Sequence, residues 1–275
     1  MIREFVSVCL STYNIEEYIS DSLESIINQT LHNIQIICID DASTDSTLDI
    51  IHKFAKNDKR IHVVANNKNQ GLAVSRNEAL KLANGKYVVF LDGDDLFDLT
   101  MLEKAYLLAE LEQSEMVLWD YAIFHNDKDL HANKEKKSTL HKGMCHEKKV
   151  LLRQPAFTWI KLLKIDTIKS LEIYFPKGLT RQDIPVHWHM ITKIDKISIL
   201  PERLSYYRQQ NEATTSRTDA SLFDLATVMD ITKEYLINNK LYEEYKDLFL
   251  ESQLNLLSGM YDKIDVSLRP EAGGI

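Results

Sequence analysis

Residues 6–11, VSVCLS, form a short apolar run of β-type side chains. Directly after them Ile15, Ile19, Leu23, Ile26 and Ile27 recur at helical spacing, and Asn14 with Glu17 matches a capping box. The alternation then repeats. Residues 35–40 (QIICID) predict a second strand, followed by a helix with Leu48, Ile51, Phe54 and Ala55 on one face. Residues 60–65 (RIHVVA) predict a third strand and 71–83 (GLAVSRNEALKLA) a third helix. A fourth strand at 86–92 (KYVVFLD) precedes a helix over about 99–113 and a further apolar run, MVLWDYAIF, at 116–124. Strands that are nearly continuous apolar runs, separated by helices, indicate a largely parallel sheet covered on both faces. In such sheets ligands bind beyond the C-terminal strand ends.

The second half is less regular. From residue 126 to 149 the pattern dissolves, and Lys128, Lys134, Lys136, Lys137, Lys142, Lys148 and Lys149 outnumber the local acids. A solvated loop or hairpin is expected there, covering about 126–150. Order returns near Trp159, passes through IYFPKGL (173–179) and reaches LSYYRQQ (204–210). Beyond Ser221 leucines at helical spacing predict helix to about Ile264, then a mobile tail, LRPEAGGI. The division expected is an α/β domain over 1–217, in two halves (1–125 and 151–217) around the basic segment, with a helical extension and tail over 218–275.

Composition narrows the class. The chain has 275 residues, 44% hydrophobic and 27% charged, the balance of an ordinary globular protein with ample core. Its net charge of −8 disfavours a nucleic-acid binder acting through bulk electrostatics. No apolar run reaches the length of a membrane span, and the N-terminal stretch lacks the pattern of a signal peptide. Cys9, Cys38 and Cys145 are odd in number and have no metal-ligand spacing, so reduced thiols and a cytoplasmic location are expected.

The chemistry gathers at strand ends. Residues 90–97, FLDGDDLF, place three aspartates within four positions after an apolar run. Clustered carboxylates are hard ligands for Mg²⁺ or Mn²⁺, with Gly93 keeping the backbone close; helix capping by Asp95 or Asp98 is the competing explanation. Asp41 in CIDDAST (38–44) could accept from a base or ribose, or merely close its own turn. Tyr13 in STYN (11–14) could stack on a base or sit in the core. Arg76 follows a helix start suited to anions, and Arg208 sits among aromatics in SYYRQQ (205–210); each is a candidate diphosphate contact. Asp183 precedes a predicted helix as a candidate general base or N-cap, while His187 and His189 are expected to be packing or surface histidines rather than ligands.

Taken in order, VSVCLSTYN, SIINQT, IICIDDAST, NQGLAVSRN, GKYVVFLDGDD, WIKLLK, FPKGLTRQD and LSYYR resemble a family-2 glycosyltransferase with the GT-A fold, from about Val6 to Arg208. The resemblance implies a Rossmann-like, mostly parallel sheet flanked by helices, with residues 1–125 as the nucleotide-sugar-binding half and 151–217 as the acceptor side. It implies Thr12, Tyr13, Glu16 and Asp41 on the nucleoside and Arg76 near the diphosphate. Asp92 would lie on the ribose and metal side, and Asp94 would be the principal ligand of Mn²⁺ or Mg²⁺. Asp183 would be the catalytic base, with Trp159 and Lys161 near the acceptor. The activity implied is metal-dependent, inverting transfer from a nucleotide-sugar, a UDP-sugar above all, to a glycan, lipid-linked glycan or glycoprotein acceptor in bacterial surface glycan synthesis. Any membrane contact would be peripheral, and the C-terminal helices could close the acceptor side or form a homo-oligomer seam. Three departures stand out: Ser11 for proline, Ala42 for glycine and Gln182 for glutamate. The alternatives are a non-catalytic partner of another glycosyltransferase, to which Gln182 points, and a sugar-1-phosphate nucleotidyltransferase, whose glycine-rich N-terminal loop is absent.

Overall fold

A computed structural model describes residues 5–134, 136–209 and 219–269. The first half alternates as its pattern requires: β1 (Val6–Thr12), α1 (Ile19–Ile27), β2 (Ile34–Asp40), α2 (Thr47–Asn57), β3 (Ile61–Ala65), α3 (Leu72–Leu82) and β4 (Tyr87–Asp92). A two-residue β5 (Leu96–Phe97), α4 (Met101–Glu112) and the long β6 (Met116–Phe124) follow. Next come α5 (Asp127–Lys134), α6 (Lys148–Leu151), β7 (Lys161–Lys164), α7 (Ile165–Ser170), α8 (Asp183–Lys193) and β8 (Ile197–Arg208). Two helices, α9 (Asp224–Asn238) and α10 (Tyr242–Lys263), complete the described chain.

The strands form one sheet in the order β3-β2-β1-β4-β7-β6-β8-β5. β1 pairs in parallel with β2 and β4, and β2 with β3, as expected for the first half. The second half keeps the sheet mostly parallel, with β6 paired in parallel to the long β8, and adds short antiparallel pairings. β7 enters antiparallel between β4 and β6, and β5 runs antiparallel to β8, so the sheet is mixed. β7 spans only four residues and its partners lie far away in sequence, so no local pattern marks its direction.

Burial on both faces explains the apolar runs. Val6, Val8 and Leu10 of β1, with Ile34, Ile36 and Cys38 of β2 and Val89 and Leu91 of β4, pack against α1 and α4. Cys9, Ile37, Ile39, Val88 and Phe90 face the opposite layer, which includes Met190 and Ile191 of α8 and Leu225, Met229 and Phe249 from α9 and α10. The C-terminal helices therefore share a core with the sheet. Their first turn also holds the segment before α8: Thr180 N donates to Asp224 Oδ2 at 2.8 Å and Thr180 Oγ1 to Ser221 O at 3.0 Å.

Other expectations need revision. α1 begins at Ile19, and no Asn14 capping box forms. Asn14 instead adopts φ 49° and accepts from Thr44 N at 2.8 Å, tying the loops after β1 and β2 together. The basic segment is neither loop nor hairpin: it holds α5, a 3-10 turn at Lys142–His146 and α6, anchored by Leu130, Met144 and Leu151. Of the tail expected to be mobile, residues 270–275 lie outside the described residues.

Near the start of the central strands a local network joins Ser7, Gln35 and Gly85. Ser7 Oγ donates to Gln35 Oε1 at 2.7 Å and accepts from Gly85 N at 2.9 Å, while Gln35 Nε2 donates to Leu82 O at 3.3 Å at the end of α3. A Cβ on Gly85 would lie 2.7 Å from Ser7 N and 2.9 Å from Ser7 Oγ, closer than packed atoms tolerate. Gly85→Ala is therefore expected to destabilise the fold by about 1–3 kcal/mol, read as a lower urea midpoint. An unchanged midpoint would contradict this packing.

Candidate active site

Register places the polar strand ends side by side, with Thr12 opposite Asp40 and Ser11 opposite Asp92. Several groups expected to face a nucleoside are already engaged within the protein. Thr12 is buried, and its hydroxyl lies 3.3 Å from both Ile39 O and Asp40 Oδ1. Asp41 accepts from Asn66 Nδ2 at 2.9 Å, Gln70 N at 3.0 Å and Gly71 N at 2.7 Å, fastening the start of α3 where its dipole favours an anion. Glu16 accepts from Ser46 N at 2.8 Å while its own N–H donates to Asp45 at 3.1 Å. Tyr13, 47% exposed, is the aromatic ring left at the rim.

The rim is held in strained backbone. Asn14 follows Tyr13 with φ 49°, Ala42 follows Asp41 with φ 63°, and Arg181 precedes the Gln182–Asp183 pair with φ 54°. For a residue with a Cβ such a conformation costs about 1–2 kcal/mol. It persists here where chain direction must reverse immediately beside a candidate functional side chain.

The aspartates after β4 find different partners. Asp92 Oδ1 accepts from Arg76 Nη2 at 2.8 Å, and the nearly buried guanidinium also lies 5.4 Å from the Phe175 ring centre. Gly93 packs so closely on Ile15 and Thr12 that a Cβ would approach Ile15 Cδ1 to 2.6 Å. Asp95 is buried and accepts from Arg208 N at 2.8 Å, leaving Oδ2 unpartnered; burial, then Asp94 and Asp92, push its carboxyl well above the usual range. Arg208 Nε donates to Asp94 O at 3.0 Å, and the guanidinium lies between Tyr18 and Phe124, 5.1 and 4.8 Å from their ring centres. Asp21 sits 3.5 Å from Arg208 Nη2.

Asp94 is the exception. Burial, reinforced by the charge of Asp92, raises its carboxyl to about 6 despite Arg208. Hard carboxylate oxygens at Asp94 and Asp92 match the donor chemistry of Mg²⁺ or Mn²⁺. Among the described residues no three acidic, His or Cys side chains converge on one point, so such an ion would need ligand phosphates to complete its shell.

Asp183 is the first residue of α8, with Gln182 at the cap position, so capping is not its role. Beneath it lies the fully buried Lys161, which donates to Phe157 O. Burial lowers the Lys161 ammonium to about 7, opposed by Asp183 and reinforced by Arg76. A chain of charges thus links Asp92, Arg76, Lys161 and Asp183. His187 is buried next to Lys161 and held well below its usual value by burial, while His189 stacks on Tyr235 at 4.5 Å; both pack, as expected.

Trp159 is buried in an aromatic group that sequence reading missed. Its ring stacks on Phe157 at 4.8 Å and meets Tyr121 at 5.2 Å and Tyr207 at 5.6 Å. Phe157 stands two residues before Trp159, and Tyr207 one before Arg208, so both were adjacent to residues already singled out. Gln29 was also missed: it is fully buried, donates to Asp98 O at 2.7 Å and accepts from Leu102 N at 3.0 Å, fixing the exit of the aspartate loop.

Comparison with known proteins identifies the family and the fold. The sequence model described as Glycosyl transferase family 2 matches residues 7–160. The putative teichuronic acid biosynthesis glycosyltransferase TuaG of Bacillus subtilis is 33% identical over 218 residues, 78% of this chain and 82% of that protein. Among solved structures, S. aureus TarS 1–349 in complex with UDP-GlcNAc superposes with a TM-score of 0.80 at 24% identity, covering 98% of this chain and 78% of that one. The mannosyltransferase PcManGT of Pyrobaculum calidifontis, in complex with GDP-Man and Mn²⁺, gives 0.60 at 15% identity, covering 100% and 80%. The chain belongs to glycosyltransferase family 2 and has the GT-A fold, a mixed sheet flanked by helices.

The unpaired charge of Asp94 has a cost in stability. Its carboxyl is raised to about 6 in the fold from an ordinary 3.8, so the folded state binds more protons between these values. Stability contributed at low pH is therefore lost as pH rises through about 6. Asp94→Asn, measured in EDTA, is expected to raise unfolding stability by about 1–3 kcal/mol above pH 6 and by little near pH 4. A variant less stable than wild type above pH 6 would contradict this electrostatic picture.

Proposed function

We propose that this family-2 glycosyltransferase moves a sugar from a nucleotide-sugar, read as a UDP-sugar, to an acceptor hydroxyl with inversion. The observation that carries the reading is the gathering of Asp92, Asp94 and Asp95 at the end of β4, held by Arg76 and Arg208 from distant parts of the chain. TarS with UDP-GlcNAc supports the donor class, and PcManGT with GDP-Man and Mn²⁺ supports a divalent ion. TuaG, by its name, points to a bacterial surface glycan as product.

In this reading Tyr13 faces the nucleobase. Thr12, Glu16 and Asp41 frame the pocket through the loops they tie rather than by free side chains. Asp94, with the second oxygen of Asp92, would hold Mn²⁺ or Mg²⁺. The ion would neutralise charge growing on the departing diphosphate. Arg76 and Arg208 act from behind, setting Asp92, Asp94 and Asp95 in place.

Asp183 takes the proton of the acceptor hydroxyl as its oxygen bonds to the anomeric carbon. The bond from that carbon to the diphosphate breaks in the same displacement, its electron pair leaving with the nucleoside diphosphate. One base therefore suffices, and configuration inverts. Trp159 and Phe157 would flank the acceptor, and Lys161 orients Asp183 through its charge. Gln182 is 97% buried with Oε1 unpartnered, so a glutamate there would add a further buried charge beside the base. Among the described residues no helix is long and apolar enough to cross a membrane, so an acceptor on a lipid carrier would be met at the membrane surface.

Asp183→Asn is expected to lower transfer by about 10²–10⁴-fold while leaving donor binding unchanged. Equal rates of transfer would remove Asp183 from the chemistry, and no transfer by wild type with any donor would favour the non-catalytic alternative.

A further inference from the structure

A second concave site lies at the far edge of the sheet. The pairing of β6 with β8 slips after Trp119: Leu200 faces Trp119, but Arg203 faces Asp120, leaving Pro201 and Glu202 without partners on β6. Such a bulge bends its strand outward and opens space beside it. The space is a cleft of about 310 Å³ between β8, α4 and the chain after α5.

Its walls are cationic in an otherwise acidic protein. Lys104, Lys134, Lys136, Lys137 and Arg203 line it, against only two carboxylates, Asp98 and Glu202. Both carboxylates are engaged. Glu202 pairs with Lys104 at 2.5 Å, and Asp98 accepts from Thr100 N at 2.9 Å and Tyr206 OH at 3.1 Å. Lys134 lies 4.4 Å from the Tyr206 ring centre, while Lys136 and Lys137 make no ion pair among the described residues. Even with Glu135 counted from the sequence, positive charge remains in excess.

Arg203 is only partly satisfied. Its Nη1 donates to Asn133 O at 3.3 Å, while its buried Nε, ion-paired with Asp120 Oδ2 at 3.8 Å, makes no hydrogen bond. That oxygen already accepts from Ser138 Oγ at 2.8 Å and Thr139 N at 2.9 Å. An oxyanion in the cleft would meet the exposed Lys136 and Lys137 ammonium groups beside the Arg203 guanidinium, a combination that suits phosphate.

We propose that this cleft binds a phosphate group carried by the acceptor, away from the reaction centre. The assignment of an acceptor rests on the transferase reading above; the cleft and its charge do not. Arg203 and Arg208 are five positions apart on β8, roughly 16 Å at about 3.3 Å per residue. A phosphate-bearing acceptor gripped at Arg203 would thus lie along the strand that ends at the aspartates. Concavity favours a discrete phosphate over a bilayer, which engages protruding cations on a broad surface.

The test is a calorimetric titration with tripolyphosphate in EDTA, where the metal-free aspartates repel the probe from the donor site. Wild type is compared with Lys136→Glu/Lys137→Glu and with Lys128→Glu/Lys142→Glu, an equal charge change at exposed positions outside the cleft. Wild type is expected to bind, the first variant to lose at least about 10-fold in affinity and the second to stay within about 2-fold. No binding, or equal loss in both variants, would overturn the proposal. So would sedimentation with phosphatidylglycerol vesicles that depends on Lys136 and Lys137 without tripolyphosphate binding, which would make the cleft a membrane contact. UDP titrated with Mn²⁺ into the same proteins separates the two failures: its loss in wild type would strike the donor reading and leave the cleft result intact.

Discussion

Four carboxylates, Asp92, Asp94, Asp95 and Asp98, lie within seven residues after a strand buried on both faces, and their mutual repulsion must be countered. The answer comes from distant parts of the chain. Arg76 of α3 reaches Asp92, the last residue of β8 reaches Asp95 and the Asp94 backbone, and Thr100 with Tyr206 holds Asp98. These contacts explain why β5 and β8 pair beyond the aspartate loop: their ladder carries Arg208 to the aspartates. Asp94 and Asp95 have no side-chain ion pair of their own, and burial together with the neighbouring carboxylates raises both.

A second organising feature is the bracing of the Asp183 segment from behind. The segment before Asp183 turns through Gly178 and Arg181, both with positive φ, and is fastened at Thr180 to the start of the C-terminal helices. Those helices bury Leu225, Val228 and Met229 in the same layer as α8. Strain near Asp183 is thereby held by packing together with the Thr180 hydrogen bonds. Buried Lys161 completes the support, its charge set between Arg76 and Asp183.

Much of this was legible because burial on two faces writes itself as continuous apolar runs. The alternation through β4, and the collection of Tyr13, Asp41 and Asp92 at one edge, follow from such runs. What escaped reading depended on partners far away. β7 has four residues whose direction is set by β4 and β6. Asn14 looked like a helix cap but serves Thr44 across thirty positions. Asp41 and Glu16 looked free, yet backbone N–H groups of other loops consume them. In the basic stretch the repeated lysines masked Leu130 and Met144, whose burial fixes short helices.

The central claim is that Asp94 awaits a divalent ion shared with a nucleoside diphosphate. The most direct measurement is UDP binding by calorimetry at neutral pH, in EDTA and then in Mn²⁺, for wild type and Asp94→Asn. The account requires Mn²⁺ to strengthen UDP binding in wild type and to have little effect in the variant. UDP that binds equally well in EDTA, or an Asp94→Asn protein that keeps the full gain from Mn²⁺, would contradict it.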